Sequence, residues 1–183
     1  MVVKNAVNVG DAVSRLMETE ELTGDQLAID LNISRQLGNH MKNDRRKMQQ
    51  DIAKESIQTY DNPEYIHDVL YEFSEGYTSP VFRGHSIEQH RLSIGSYTIQ
   101  ELQEAIGKMK EVSLAKPPSI ISKEELQEIK SLMEELLDGK VFIDNMLIQL
   151  QKDYGISIKD CIGGLMPRWV AKGWMALTNK KAD

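Results

Sequence analysis

Apolar residues in the first part of the chain recur at spacings of three and four, in five short blocks. Residues at this spacing fall on one face of an α-helix. The blocks are Val9, Ala12, Val13, Leu16 and Met17, then Leu27, Ala28 and Leu31, then Leu37 and Met41, then Met48, Ile52, Ala53 and Ile57, and finally Ile66, Val69, Leu70 and Phe73. The pattern predicts an all-α N-terminal domain of five short helices over residues 1–75, with Asn8 or Asp11 capping the first.

Polar residues between these blocks predict where two of the helices begin. Thr23 and Gln26 have the spacing of a capping box, in which a hydroxyl and an amide bind the free backbone groups of a helix start. Ser34 is a good N-cap for the next helix. Asn32, just before it, tolerates the left-handed backbone that a sharp turn needs. The second and third helices therefore form a predicted helix-turn-helix.

The third helix carries hydrogen-bond donors on the side opposite its apolar residues. With Leu37 and Met41 facing inward, Arg35, Gln36 and Asn39 point outward. In a helix-turn-helix the second helix lies in the major groove, where these side-chain types bind base edges. We therefore predict that these three residues read the bases of double-stranded DNA. The alternative is a helical hairpin with a polar face, which many all-α proteins contain.

Charge is unevenly distributed along the chain. The 183 residues carry a net charge of −6, but between Arg35 and Lys47 five cations stand against one carboxylate, Asp44. We expect the following carboxylates to face away from a DNA backbone: Glu18, Glu20, Glu21, Asp25 and Asp30. We predict phosphate contacts from Ser34, Lys42, Asn43, Arg45, Arg46 and Lys47. The alternative for residues 45–47 is a solvated loop.

Three motifs in this domain carry a resemblance to a known family. They are Leu22-Thr23-x-x-Gln26-Leu27-Ala28, Leu31-Asn32-Ile33-Ser34-Arg35 and Met41-x-Asn43-x-Arg45-Arg46. Over roughly residues 8–73 the chain resembles the lambda-repressor-like, Cro-type (XRE) family of DNA-binding domains, which implies sequence-specific binding to DNA. It departs from the family at Gly38, where an apolar residue is usual. A glycine inside a helix costs about 1 kcal/mol relative to alanine, so we expect a looser or shifted third helix.

The segment that follows is rich in turn-forming residues. Residues 76–84 mark a domain boundary, and we assign residues 76–97 to a linker region. His85 and His90 stand five positions apart with Glu88 between them, so they fall on different sides of a helix and do not form a zinc-protease motif. We predict no metal site and no cofactor.

The C-terminal module, residues 98–183, is predicted to be a helical bundle or coiled-coil-like unit. Thr98 and Glu101 form a capping box for a helix that ends near residue 112, and a pair of prolines follows. Ser122 and Glu125 start a longer helix, for which Gly155 is a natural C-terminal cap. The unbroken spacing on both sides of Gly139 indicates that this helix is continuous.

The long helix contains a heptad seam, in which apolar residues alternate at spacings of three and four. We predict that this seam mediates oligomerisation, most simply into a dimer, through Leu126, Ile129, Met133, Leu136, Ile143, Leu147 and Leu150. Lys140 interrupts it, and its aliphatic stem can lie on apolar surface while the ammonium reaches water. The same module is a candidate surface for a protein partner.

A last segment contains two tryptophans, Trp169 and Trp174, with Arg168 and Lys172 between and beside them. An interfacial membrane anchor is one interpretation, but the segment is short and the protein acidic, so we expect it to dock on the bundle. Residues 179–183 are expected to form a frayed polar tail.

The Asp61-Asn62-Pro63 junction and the closing Met166-Pro167-Arg168-Trp169 make the whole chain similar to helix-turn-helix regulators of phages and prophages of Gram-positive bacteria. This resemblance implies a regulatory role. The leading hypothesis is therefore a sequence-specific DNA-binding transcriptional regulator, a repressor of the phage or prophage type, that acts as an oligomer. The alternative is a small-terminase-like phage assembly or replication protein that binds DNA without catalysis.

Several features argue against other classes of protein. No nucleophile–base pair, phosphate-binding glycine loop or carboxylate cluster is apparent, so we do not expect an enzyme. No apolar run approaches the ~18 residues of a membrane span. Cys161 is the only cysteine, which excludes an internal disulfide and makes a cytoplasmic location the expectation.

Overall fold

The structure of the protein, a computed structural model, describes residues 4–176, and helices dominate that range. In chain order the elements are β1 (Ala6–Val7), α1 (Gly10–Thr19), α2 (Gly24–Asp30), α3 (Arg35–Lys42), β2 (Met48–Gln49), α4 (Gln50–Thr59), α5 (Pro63–Phe73), α6 (Arg91–Glu111), a 3-10 turn (Pro118–Ile120), α7 (Lys123–Tyr154) and α8 (Ile158–Ala171). The predicted all-α fold is confirmed.

Helices α1 to α5 share one core, built largely from the predicted apolar faces. Its members include Val9, Ala12, Val13, Leu16, Leu27, Leu31, Met41, Met48, Ala53, Val69 and Phe73. Tyr65, which the apolar spacing did not single out, is also buried and donates its hydroxyl to Ser56 Oγ at 2.8 Å. Burial raises the pKa of Tyr65 to about 12. The hydroxyl therefore remains a hydrogen-bond donor at neutral pH.

The start of α1 is capped from a distant part of the chain. Neither Asn8 nor Asp11, the predicted caps, fills this role. Instead the Gly10 N–H donates to Asp44 Oδ1 at 2.8 Å, although the two residues are 34 positions apart. A carboxylate is favourable at the positive end of a helix. The prediction was wrong because a cap supplied from so far away leaves no local pattern.

A small antiparallel sheet joins the N-terminal segment to the start of α4. Ala6 pairs with Gln49 and Val7 pairs with Met48. Met48 is fully buried and belongs to β2. Helix α4 therefore begins at Gln50, after the strand, and not at Met48 as predicted. Strands of two residues are too short for the alternation that reveals a strand in a sequence.

The predicted linker, residues 76–97, is irregular only in part, because α6 begins within it. His90 caps α6 by accepting a hydrogen bond from the Leu92 N–H through Nδ1 at 3.3 Å. Thr98, the predicted helix start, lies inside α6 and donates its hydroxyl to the Ile94 carbonyl at 2.8 Å. The predicted start of this helix came too late in the sequence, because serine and glycine interrupt the apolar spacing over the first turns of α6.

The irregular part of this segment crosses α7 and is held there by polar contacts. Asn145 of α7 accepts a hydrogen bond from the Phe82 N–H at 2.8 Å and donates to the Pro80 carbonyl at 3.0 Å. Glu64 of α5 pairs with Lys152 of α7 and with Arg83. Burial works to raise the pKa of Glu64, but the two cations outweigh it and hold the pKa below its ordinary value. Much of the contact between the two halves is therefore polar, and the N-terminal core stays separate.

Helices α6 and α7 form an antiparallel hairpin. Early residues of α6 lie beside late residues of α7, with Arg91 Nη1 3.6 Å from Asp153 Oδ2 and the Thr98 hydroxyl 3.3 Å from the Phe142 carbonyl. Gly139 is buried in this contact, and a Cβ there would lie 3.6 Å from Leu102 Cδ2. Helix α7 is continuous through Gly139, as predicted.

Both ends of α7 are as predicted. The Glu125 N–H donates to Ser122 Oγ at 3.2 Å, and the Ser122 N–H donates back to Glu125 Oε2 at 3.0 Å, which completes the capping box. Gly155 ends the helix with a φ of 66°, in the left-handed region that glycine adopts without strain.

Helix α8 docks less closely than expected. None of its residues is buried, and its first turn is attached through the Ile158 N–H, which donates to Gln151 Oε1 at 2.9 Å. Trp174 is exposed beyond its end, with the Lys172 ammonium 4.3 Å from the ring centre. The predicted tail, residues 179–183, lies outside the described residues. No helix within residues 4–176 has both the length and the apolar character needed to cross a membrane.

Candidate nucleic-acid interface

The α2–α3 pair is built as the sequence predicts. At α2, Thr23 Oγ1 accepts a hydrogen bond from the Gln26 N–H at 3.2 Å, and Gln26 Oε1 accepts one from the Thr23 N–H at 2.9 Å. At α3, Ser34 Oγ accepts from the Leu37 N–H at 3.1 Å. Between the helices, Asn32 has a φ of 50°, the left-handed turn conformation. Local capping thus fixes where α3 starts, and hence which of its residues face outward.

Three side chains of α3 face the solvent. Arg35, Gln36 and Asn39 are exposed, whereas Met41 is fully buried and Leu37 packs against the core. The outward placement of these residues is therefore as predicted. Arg35 Nη1 lies 3.3 Å from Asp25 Oδ1 on α2 in an exposed ion pair. The expectation that Asp25 faces away from this surface was wrong. Asp25 lies in the first turn of α2, which brings its carboxylate beside the start of α3.

Gly38 does not disturb α3, contrary to the expectation of a looser helix. The helix runs without a break from Arg35 to Lys42, and Gly38 is buried within it. A Cβ at this position would lie 3.8 Å from both Ile33 Cδ1 and Leu27 Cδ2, which is ordinary van der Waals contact.

Gly38→Ala should therefore stabilise the protein by about 0.5–1 kcal/mol, because alanine restricts the unfolded chain and fits the folded one. Urea unfolding of the full chain followed by circular dichroism measures this. A loss of stability would mean that the contact between α2 and α3 is tighter than the distances indicate.

A basic loop, defined here as residues 42–47, follows directly on α3. The N–H groups of Arg45 and Arg46 both donate to the His40 carbonyl, which folds the loop against the end of the helix. Within residues 4–176, none of the four cations of this loop takes part in an ion pair; these are Lys42, Arg45, Arg46 and Lys47. Asp44, the lone carboxylate, binds the start of α1 as described above. The Asp44 carboxylate thus binds α1, and it forms no ion pair with the four cations of the basic loop.

Two of the predicted phosphate ligands have structural roles. Ser34 caps α3, so its hydroxyl oxygen is already an acceptor. Asn43 follows the last residue of α3 and donates through Nδ2 to the Asn39 carbonyl at 2.7 Å. Both are exposed, so contact with a phosphate remains a prediction.

Other carboxylates of this domain are held by neighbouring elements. Asp30 accepts a hydrogen bond from the Tyr60 hydroxyl at 2.7 Å, and Glu20 accepts one from Asn62 Nδ2 at 2.8 Å. Burial and the Asp30 carboxylate raise the pKa of Tyr60 well above its ordinary value. These contacts place the two carboxylates against α4 and the start of α5.

The described part of the chain contains no group of three or more His, Cys, Asp or Glu side chains placed to hold a metal ion. His90 has a structural role as the cap of α6. Sequence analysis missed this role, because a histidine cap has no distinctive spacing.

Comparison of the chain with models of protein families, with curated proteins and with solved structures gives no match.

Proposed function

We propose that the protein is a sequence-specific DNA-binding regulator, most simply a repressor, that reads double-stranded DNA through α3. One observation carries the proposal. A short, locally capped helix presents Arg35, Gln36 and Asn39 to solvent, and a loop follows it whose four cations form no ion pair with residues 4–176. Planar donor groups beside clustered positive charge, on a protein of net charge −6, match the base edges and the phosphates of duplex DNA.

The two sets of residues have different roles in this proposal. The α3 side chains carry guanidinium and amide groups, which form paired hydrogen bonds with base edges and so provide sequence preference. The basic loop contacts phosphates, which positions α3 in the groove without distinguishing sequences. A local basic surface on a protein of net charge −6 favours specific binding over strong non-specific binding.

The basic loop can be tested by the salt dependence of binding. The double variant Arg45→Ala and Arg46→Ala should bind all duplexes more weakly, and the slope of log affinity against log salt should fall by about two, since each phosphate contact releases about one counterion. Fluorescence anisotropy with duplexes of several sequences measures both quantities.

A matched control removes two cations from α6, where Lys108 and Lys110 form no ion pair among residues 4–176. Lys108→Ala with Lys110→Ala makes the same change in net charge and should leave the slope unchanged. If the two double variants behave alike, the basic loop is a solvated loop and not a phosphate-binding surface.

A further inference from the structure

The predicted heptad seam of α7 is not the side that contacts α6. The side that faces α6 is a second stripe at the same spacing, which includes Leu132, Gly139, Phe142 and Met146. The seam residues Met133, Lys140, Ile143 and Leu147 each come one position after a member of this stripe, and Leu136 lies between the first two of them. One residue turns an α-helix by about 100°, so the seam lies roughly a quarter-turn away from α6. It is largely exposed, and Met133 retains 59% of its accessible surface.

Helix α6 repeats the same arrangement. Its residues nearest α7 include Arg91, Thr98 and Ala105. One position after each of them stands a large apolar residue that is exposed, namely Leu92 (69%), Ile99 (61%) and Ile106 (51%). Between these apolar residues, one position after Gly95 and Leu102, stand the exposed and uncharged Ser96 and Gln103.

The two exposed stripes lie on the same side of the hairpin. Both helices are right-handed, and they run in opposite directions. When both helices are viewed along the same axis, a step of one residue toward the C-terminus therefore turns the side-chain direction clockwise on one helix and counterclockwise on the other. Because the helices face each other, opposite rotations bring both stripes to the same side. The hairpin thus has one surface, two helices wide, on which exposed apolar residues of both helices lie, with Ser96 and Gln103 between those of α6; we call it the hairpin face.

Nothing within the described residues covers the hairpin face. A third side of α7, with Asn145, Ile148 and Gln151, contacts the segment after α5 and the N-terminal domain. Helix α8 begins beside Gln151, on that third side, and borders a cavity of about 430 Å³ against α4 and α5.

We propose that the hairpin face binds the hairpin face of a second copy of this chain, so that two α6–α7 hairpins form a four-helix bundle. At about 1.5 Å per residue and about 10 Å per helix, a surface two helices wide and as long as α6 covers roughly 600 Å². Each partner in a typical stable interface buries about 800 Å². The turns of α7 beyond α6 supply further surface, so the area is near that of a stable dimer.

Lys140, the cation in the predicted seam, does not oppose this pairing. Its ammonium binds Asp144 Oδ2 at 2.9 Å and Ser79 Oγ at 2.7 Å, on the side toward the N-terminal domain. The Lys140 ammonium therefore lies at the edge of the hairpin face, where Asp144 neutralises its charge. The face itself presents apolar side chains, which a partner of the same kind covers better than a charged one.

Sedimentation equilibrium of the full chain across the micromolar range tests the proposal. The parent protein should be a dimer. The double variant Ile99→Asp and Leu136→Asp should associate at least about a hundredfold more weakly, because each buried charge occurs twice in a symmetric interface. As a matched control, Ile29→Asp with Tyr77→Asp introduces two acids at exposed apolar positions of the N-terminal half and should leave the dimer intact.

A monomeric parent protein, a ring of many subunits, or a double variant that still dimerises would overturn the proposal. If the aspartates reduce helix content, Ile99→Gln with Leu136→Gln keeps good helix formers at both positions and should still weaken the dimer. This inference does not depend on DNA binding. Gln36→Ala with Asn39→Ala should remain dimeric, so a failure of the interface and a failure of the proposed function can be told apart.

Discussion

The double variant Gln36→Ala and Asn39→Ala should lose most of its preference for the cognate DNA site while it keeps its fold. Each amide can form a paired hydrogen bond with an adenine edge, worth about 1–3 kcal/mol of discrimination. Both side chains are exposed, so their removal leaves the core unchanged. Competition binding with cognate and scrambled duplexes measures the preference, and thermal unfolding verifies the fold.

The control for this variant removes amides from the C-terminal half. Gln100 on α6 and Gln127 on α7 are both exposed, and changing them to alanine should leave sequence preference unaltered. If the α3 variant keeps full preference for the cognate site, the predicted register of the reading helix is wrong.

Gly10→Ala should destabilise the N-terminal domain by about 1–3 kcal/mol, the usual cost of forcing extra atoms into a packed site. A Cβ there would lie 2.7 Å from the Lys42 carbonyl oxygen and 2.8 Å from Asp44 Cγ. Either α1 or the basic loop must move, and the bond from the Gly10 N–H to Asp44 would be lost or lengthened. DNA affinity should fall as well, because the same loop carries the proposed phosphate ligands.

Urea unfolding of the full chain measures the stability change. Gly84→Ala is the matched control, since no atom of residues 4–176 lies within 4 Å of a Cβ placed at Gly84. Equal stability of the Gly10 variant and the parent would contradict the close approach of α1 to the loop after α3.

The five N-terminal helices could be predicted because their signals are local. Apolar spacing gave the buried faces, and the Thr23–Gln26 pair and Ser34 gave the starts of α2 and α3. The outward direction of Arg35, Gln36 and Asn39 followed from the position of Met41 on the same helix. The cap that Asp44 supplies to α1 could not be predicted in this way, because it joins residues that are distant in sequence and close only in the folded domain.

The C-terminal half shows a different limit. Helix α7 carries two neighbouring stripes at heptad spacing, and the one with fewer large apolar residues is the one that contacts α6. Gly139 belongs to it and lets α6 approach closely. Apolar spacing reveals that a helix has a face to bury, but which face meets which partner depends on the fit between surfaces. Likewise, exposure of α3 follows from the sequence, whereas the DNA sequence that it would read does not.

Selection of bound sites from random duplex DNA by the full chain tests the central proposal most directly. A sequence-specific regulator should enrich one short motif, and a dimer should enrich it as two inverted half-sites, since the symmetry of the site mirrors that of the protein. Arg35, Gln36 and Asn39 variants should change or abolish the enriched motif. Recovery of no motif from the parent protein, at salt concentrations where it still binds DNA, would contradict sequence-specific reading by α3.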